Sequence, residues 1–469
     1  MKNKKSITWI LLIISLLFLM VSFFTIETDY FWHIKAGEKM ITSGILKSDI
    51  FSWFVKGKYW MSHEWLFEVL LFFLKNIFGK YHVYIYSIIC MGSIIFLLYF
   101  LNKKGFSKNI PYSLIYLLFF FLIFNVFNQA RPHLLSFILF IISFYCLYDN
   151  YKNEESKKIY ILPLISILWS NIHGGSSNLG YLLCLIFIIG GSFSFSYSKI
   201  EAKRLTKKQY KKYFIVMILS MIGVCINIHG VRMFIYPYLN MLDTTMISNI
   251  SEWRTTSLQE IYHYVFFAYI LFIIFTFLFS KKKIDFIDLI LFLFGTYLGL
   301  KSIRFWAFPY MIMTFIIFSY VKERKIDKGT NNIIIIISLL FIFLGIFIFK
   351  EKGFVSYSIN FNNKDISIIK KEKPKRLFNM YDYGGELIYN DILVFIDGRA
   401  DLYSKYNYKD YLEISRFGKN SIKLIEKYNF DYFLVSKNYP IALYLDNSLK
   451  YEKIYSRDNL VFYKTKYFS

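Results

Sequence analysis

Apolar residues arrive along this chain mostly in runs of about 16 to 20, close to the length at which a helix rising 1.5 Å per residue crosses roughly 30 Å of hydrocarbon. The runs lie near 8–26, 82–101, 110–127, 132–148, 159–170, 178–196, 213–228, 261–280, 284–300, 305–320 and 332–349. The stretch 65–78 is short too and holds Glu68 and Lys75, each costing about 2.5 to 3.5 kcal/mol at the bilayer centre. It predicts an amphipathic helix resting in the interface. Beyond residue 349 the long runs stop. Residues 392–396 and 432–435 read as short buried strands, 409–428 as a helical stretch and 451–464 as a closing hairpin. The predicted fold is mainly α. A polytopic helical membrane bundle of about 11 spans fills residues 1–349, with a first outer loop at 27–81, and a small α/β extracytoplasmic domain fills residues 350–469.

Charge fixes the orientation. Hydrophobic residues make up 56% of 469 positions and the net charge is +24, but much of that excess sits in short loops, where it reports sidedness and not nucleic-acid binding. With the amino terminus inside, the cytoplasmic loops hold Lys103, Lys104 and Lys108, then Lys152, Lys157 and Lys158, then Lys199 to Lys212, Lys281 to Lys283, and Lys322 to Lys328. The opposite short loops keep Arg131, Arg232, Arg254, Lys301 and Arg304. A crossing at 65–78 would reverse every later loop, so eleven crossings are expected, with the C-terminal domain outside a bacterial cytoplasmic membrane. The first run follows Lys2, Lys4 and Lys5 but has no small-residue cleavage site, so it reads as a retained helix. The four cysteines lie inside apolar runs without paired spacing, which indicates neither a disulfide framework nor a thiolate metal site.

This topology puts the polar residues at span ends on the outer side. Asp29 and His33, four apart in Asp29-Tyr30-Phe31-Trp32-His33, share a helical face. A carboxylate there can take the proton of an acceptor hydroxyl, whereas an aromatic belt at the interface would place the same residues for solvation alone. His63-Glu64 precedes the 65–78 stretch, where Ser62 would cap and Glu64 would favour the positive helix end. Asn-Ile-His-Gly occurs twice, at Asn171 to Gly174 and Asn227 to Gly230. A left-handed glycine explains the helix stop but does not require His173 or His229, which are expected to line a cavity with Asn171, Asn227 and His133. Arg131, in Arg131-Pro132-His133, and Arg304 are guanidinium groups suited to gripping a phosphate, with snorkelling to headgroups as the competing role. Outer histidines with Asp29 and Glu64 also suit a divalent ion, although the spacing closes no ligand set. In the C-terminal part, Tyr381 to Gly385 and Asp397-Gly398-Arg399 mix turn residues with charge and are expected at a ligand or in a plain turn.

The order of these features resembles the GT-C superfamily of polytopic glycosyltransferases, in which an acidic residue just beyond the first span marks the catalytic site. Asp29 occupies that position, although Thr28 separates it from Glu27 where many such enzymes carry adjacent acids. More narrowly, Asp29 to Gly37, Asp49 to Trp53, His63 to Leu66, Arg131 to His133, Asn171 to Gly174 and Phe395 to Tyr403 are similar to a bacterial group of large membrane proteins near GT-C enzymes. The resemblance implies transfer of a sugar from a polyprenyl-phosphate donor to an extracytoplasmic glycan, cell-wall polymer or protein. Asp29 would be the base, His63 and Glu64 would orient the acceptor, and Arg131 or Arg304 would hold the donor phosphate. A non-catalytic transporter or flippase of lipid-linked glycans and a metal-dependent membrane hydrolase remain the alternatives. The topology is checked by placing a single cysteine at position 229: an impermeant maleimide should reach it from outside, and labelling from the cytosol alone would scatter the predicted outer site.

Overall fold

The computed structural model describes residues 2–324, 328–352, 356–357 and 359–466; Lys325, among the basic loop positions, and the last three residues of the expected C-terminal domain lie outside it. The chain divides into two compact units. One comprises Met1–Thr25, Tyr81–Met241 and Ile247–Ser356, the other Ile26–Lys80, Leu242–Met246 and Tyr357–Ser469.

The first unit is helical, and each of the eleven apolar stretches forms a helix in it. Among the described residues five helices are long and apolar enough to cross a membrane: Trp65–Leu101, Ile110–Phe127, His133–Lys152, Ile261–Phe279 and Asn331–Glu351. Four more apolar helices are shorter, so length and composition alone do not establish eleven crossings. Lys2–Ser22 packs along Lys328–Lys352. Buried tyrosines join other helices, because a hydroxyl out of water needs an acceptor. Tyr116 donates to Tyr310 O at 2.9 Å and Tyr310 donates back to Tyr116 O at 2.9 Å. Several of the basic loops touch one another. Arg324 N donates to Lys108 O at 3.0 Å, Lys152 Nζ lies 3.2 Å from Asp285, and Lys283 Nζ donates to Ser196 Oγ at 2.6 Å.

The second unit is built around a four-stranded sheet whose strands, in spatial order, are Leu377–Asn379, Tyr432–Ser436, Leu460–Thr465 and Tyr451–Arg457. The first pair is parallel and the other two are antiparallel, the last being the expected hairpin. Residues 392–396, expected as a strand, make a single bridge between Val394 and Ser52, because the Asn379 side chain takes Phe395 N and Ile396 O at 2.8 Å each in place of a ladder. The 409–428 stretch is two helices, Tyr408–Ser415 and Ser421–Tyr428, parted at Phe417, whose φ of 50° cannot continue a helix. Helices Asp29–Ser43 and Trp65–Phe78 pack closely at Gly37, where a Cβ would stand 2.1 Å from Glu68 O. The segment between them bonds to the C-terminal residues through Trp53 Nε1, which donates to Leu377 O at 3.0 Å.

Arg399 is the hub of this unit. Its Nη2 lies 2.7 Å from Asp49 and 2.6 Å from Asp397, and its Nε donates to Asp397 Oδ1 at 2.8 Å. All three side chains are at most 1% exposed. The guanidinium carbon stands 4.6 Å from the centre of the Trp60 ring and 5.1 Å from that of Phe51, so ring faces supply further compensation. Asp397 and Arg399 are thus spent on each other and on Asp49. Removing one partner of a buried pair costs about 3 to 5 kcal/mol, since the other charge stays buried. Asp49→Ala should therefore lower the melting temperature of the purified protein markedly, and an unchanged melt would deny the network a structural role.

Candidate functional site

In the second unit an acid and imidazole cluster forms where the Asp29–Ser43 and Trp65–Phe78 helices meet. His33 Nε2 is 3.6 Å from Glu64 Oε2 and its Nδ1 is 3.4 Å from Glu68 Oε1. His63 Nε2 lies 3.1 Å from Glu64 Oε1, and His63 Nδ1 lies 3.3 Å from Met61 O and 4.0 Å from Asp401. Ser62, expected to cap the helix, instead donates to Glu68 Oε2 at 3.2 Å, which leaves Glu64 at the cap position without a side-chain cap bond. Both nitrogens of His63 therefore face acceptors. Burial opposes its charge, but the Glu64 and Asp401 carboxylates outweigh that and push it up to about 9.

His33, Glu64 and Glu68 are buried, and each can offer one ligand atom within 4.8 Å of the others. His33 Nδ1 and Glu68 Oε1 make no hydrogen bond. A buried nitrogen and carboxylate oxygen left facing each other are satisfied by a shared proton or by a cation, and imidazole with two carboxylates suits zinc, manganese or iron. Glu68, weighed in the sequence only as a cost to membrane crossing, belongs to this set. Its signal was the four-residue spacing from Glu64, which puts both on one helical face.

Asp29 opens the same helix as His33 but turns to other partners. Trp32 Nε1 donates to its Oδ1 at 3.1 Å. That oxygen rests against Gly398, where a Cβ would fall 1.7 Å away, so the glycine is a requirement of close approach. Tyr381 donates to Gly398 O at 3.0 Å. The shared face of Asp29 and His33 thus serves two neighbouring environments.

In the first unit several span-end residues meet. Arg131 Nη1 pairs with Glu252 at 2.9 Å, and Ser302 Oγ donates to Glu252 O at 2.7 Å. Arg304, two residues beyond Ser302, stacks over Trp253 at 5.0 Å, and its Nη2 lies 3.3 Å from His173 Nε2. His173 Nδ1 lies 2.7 Å from Ser136 Oγ and 3.0 Å from Ser176 Oγ, and Trp169 Nε1 donates to both hydroxyls. With Nε2 accepting from the guanidinium, the proton sits on Nδ1 and the imidazole aims Arg304. Arg131 is neutralised by Glu252; Arg304 is held by a ring face and an imidazole. His133 Nε2 lies 2.7 Å from Phe127 O, a contact that closes a turn. The paired Asn-Ile-His-Gly segments bond to each other: Asn227 Nδ2 donates to Asn171 Oδ1 at 3.0 Å and Asn171 Nδ2 to Ile226 O at 3.0 Å. Gly230 adopts the expected left-handed conformation at φ 56°, while Gly174 opens a short 3₁₀ turn. His229 is buried.

No protein-family model and no curated protein matches the chain. Among solved structures, the archaeal oligosaccharyltransferase AglB from Archaeoglobus fulgidus, in complex with an inhibitory peptide and a dolichol-phosphate, is similar over 92% of this chain and 70% of that one, at 11% identity and a TM-score of 0.53. The apo form of an Archaeoglobus fulgidus oligosaccharyltransferase aligns over 92% and 69%, at 12% identity and a TM-score of 0.48. The first of these likenesses shows that the chain shares the fold of that oligosaccharyltransferase.

The raised His63 predicts a pH dependence. An imidazole that gains carboxylate partners on folding stabilises the protein fully below its unfolded value near 6.5 and loses that contribution as pH rises through about 9. Melting temperatures measured from pH 6 to pH 10 should fall across that window, and His63→Gln should flatten the fall; an identical profile in the variant would remove His63 as its source.

Proposed function

We propose that this chain is a membrane glycosyltransferase of GT-C type that moves a sugar from a polyprenyl-phosphate carrier to an acceptor outside the cytoplasm. The observation that carries this reading is Asp29: a carboxylate opening the first helix after the first apolar span, held by Trp32 and backed by a glycine, on a fold similar to that of an oligosaccharyltransferase. The acceptor hydroxyl attacks the anomeric carbon, its proton passes to Asp29, and the bond to the carrier phosphate breaks with polyprenyl phosphate leaving. Of the two arginines expected at a phosphate, both in the first unit, Arg304 suits an anion better, since Glu252 neutralises Arg131 while Arg304 lies against an imidazole and a ring face. His63 and Glu64 orient the acceptor. Asp29→Asn should reduce release of polyprenyl phosphate from a polyprenyl-phosphate sugar at least about a hundredfold, as expected when a general base is lost, while the variant still inserts and folds. Normal release by that variant would remove Asp29 from the chemistry. Absence of release from the unaltered protein with any sugar would favour a carrier of lipid-linked glycans.

The buried set of His33, Glu64 and Glu68 favours a bound divalent cation as part of the same machinery. These three residues would hold it, and its charge would polarise oxygens at the reacting centre. Elemental analysis of protein purified without chelator should find a divalent metal that Glu68→Gln lowers about tenfold or more. Equal metal content in the two proteins would leave the cluster as an internal ion pair.

A further inference from the structure

In the first unit the apolar surface does not stop where the helices end. Leu179–Gly190 runs into a small sheet of Phe195–Tyr197, Ile200–Ala202 and Ile284–Asp285, whose strands lead on into Lys207–Cys225 and Phe286–Lys301. The first two strands pair antiparallel and the second pairs parallel with the third. In Phe193-Ser194-Phe195-Ser196-Tyr197-Ser198 the alternation sends the rings to one face and the serines to the other. Phe193 and Phe195 meet Phe286 at 5.4 and 5.1 Å, centre to centre, yet remain 46% and 40% exposed, and Tyr197 is 78% exposed. Seven and eleven residues beyond Phe286, on the same helical face, Leu293 and Tyr297 are exposed as well. The aromatic face of the ribbon thus continues the outward apolar face of a helix. The serine face is basic: Lys283 reaches Ser196 across it, Lys199 in the turn donates to Leu278 O, and Lys203, Lys281 and Lys282 flank the strands in exposed positions. The acids of the sheet are already engaged, Glu201 by Lys203 at 3.8 Å and Asp285 by Lys152 at 3.2 Å, so the surplus charge is positive.

We propose that this ribbon is a docking surface for anionic phospholipid, lying in the headgroup layer with Phe193, Phe195 and Tyr197 among the upper acyl carbons and Lys281, Lys282 and Lys283 at the lipid phosphates. Two observations choose a bilayer as the occupant. The ring face is continuous with a helix face that already presents apolar side chains outward, and aromatic residues gather where hydrocarbon gives way to headgroups. The surplus of lysine on and beside the other face complements a surface of negative headgroups, so the ribbon is two-sided in the sense that an interfacial element requires. A protein partner that adds a strand to the free edge is disfavoured, because Phe195–Tyr197 offers three residues of ladder and a lysine already crosses to it. The inference needs membrane insertion alone and does not depend on the transferase reading.

The test places a bimane fluorophore on Tyr197→Cys in the full chain, reconstituted into phosphatidylcholine nanodiscs, with the unaltered protein treated alike to set the background from its own cysteines. Phosphatidylcholine bearing a nitroxide high on its acyl chain should quench the label, and a water-soluble nickel chelate should not. Phosphatidylglycerol bearing the same nitroxide should quench with an apparent affinity about fivefold or more above that of phosphatidylcholine, the effect of a single basic residue near an anionic surface. Changing Lys281, Lys282 and Lys283 together to Gln, all at exposed positions and checked for an unchanged melt, should bring that ratio close to one. Quenching by the chelate and not by lipid would put the rings in water and overturn the proposal. So would protection from both quenchers that grows with protein concentration, which would seat a second copy of the chain on this face. Equal quenching by the two lipids, or a preference that survives in the triple variant, would likewise overturn it.

Discussion

The second unit depends on a guanidinium taken wholly out of water. Arg399 cannot shed its charge, so once buried it must be met by carboxylates, and it is met by one from its own turn, Asp397, and one from the early segment, Asp49. Asp49 in turn accepts Ser52 N at 3.0 Å and Phe51 N at 3.3 Å, which fixes the start of the segment whose Trp53 bonds to the edge strand. A hydrophobic contact would tolerate some sliding between these segments. A buried charge with two specific partners does not, because any slip leaves an unpaired ion.

That rigidity sets the geometry beside it. Gly398 lies between Asp397 and Arg399, so the network that fixes its neighbours also fixes the glycine against which Asp29 rests. Asp401, two residues past Arg399, reaches His63 and adds to the field that keeps it charged. The ion network and the carboxylate that reaches His63 therefore share one short segment, 397–401.

In the helical unit the same residue types do different work according to what faces them. His173 is held through Nδ1 by two buried serines and presents Nε2 to Arg304, while His133 spends Nε2 on a backbone carbonyl. Arg131 and Arg304, equivalent as isolated guanidinium groups, differ because Glu252 sits beside one of them. The twin Asn-Ile-His-Gly segments knit two helix ends together through asparagine amides.

The apolar runs were enough to predict where the helices of the first unit lie, since a hydrophobic run is a local property of the chain. The closing hairpin and the left-handed Gly230 were legible for the same reason: alternation and turn chemistry are local. Of the candidate residues named from the sequence, His33, His63 and Glu64 come together in one cluster, while Asp29 turns to Trp32 and Gly398. What the tertiary structure alone decided was pairing. That Glu68 completes the His33 set, that Asp401 reaches His63, that Asp49 and Asp397 divide Arg399, and that residues 392–396 trade a ladder for the Asn379 side chain all depend on segments far apart in the chain coming within hydrogen-bond reach. A charged side chain carries no mark in the sequence of the partner it will meet, and burial, which gives that partner its energetic weight, exists only once the chain has closed around it.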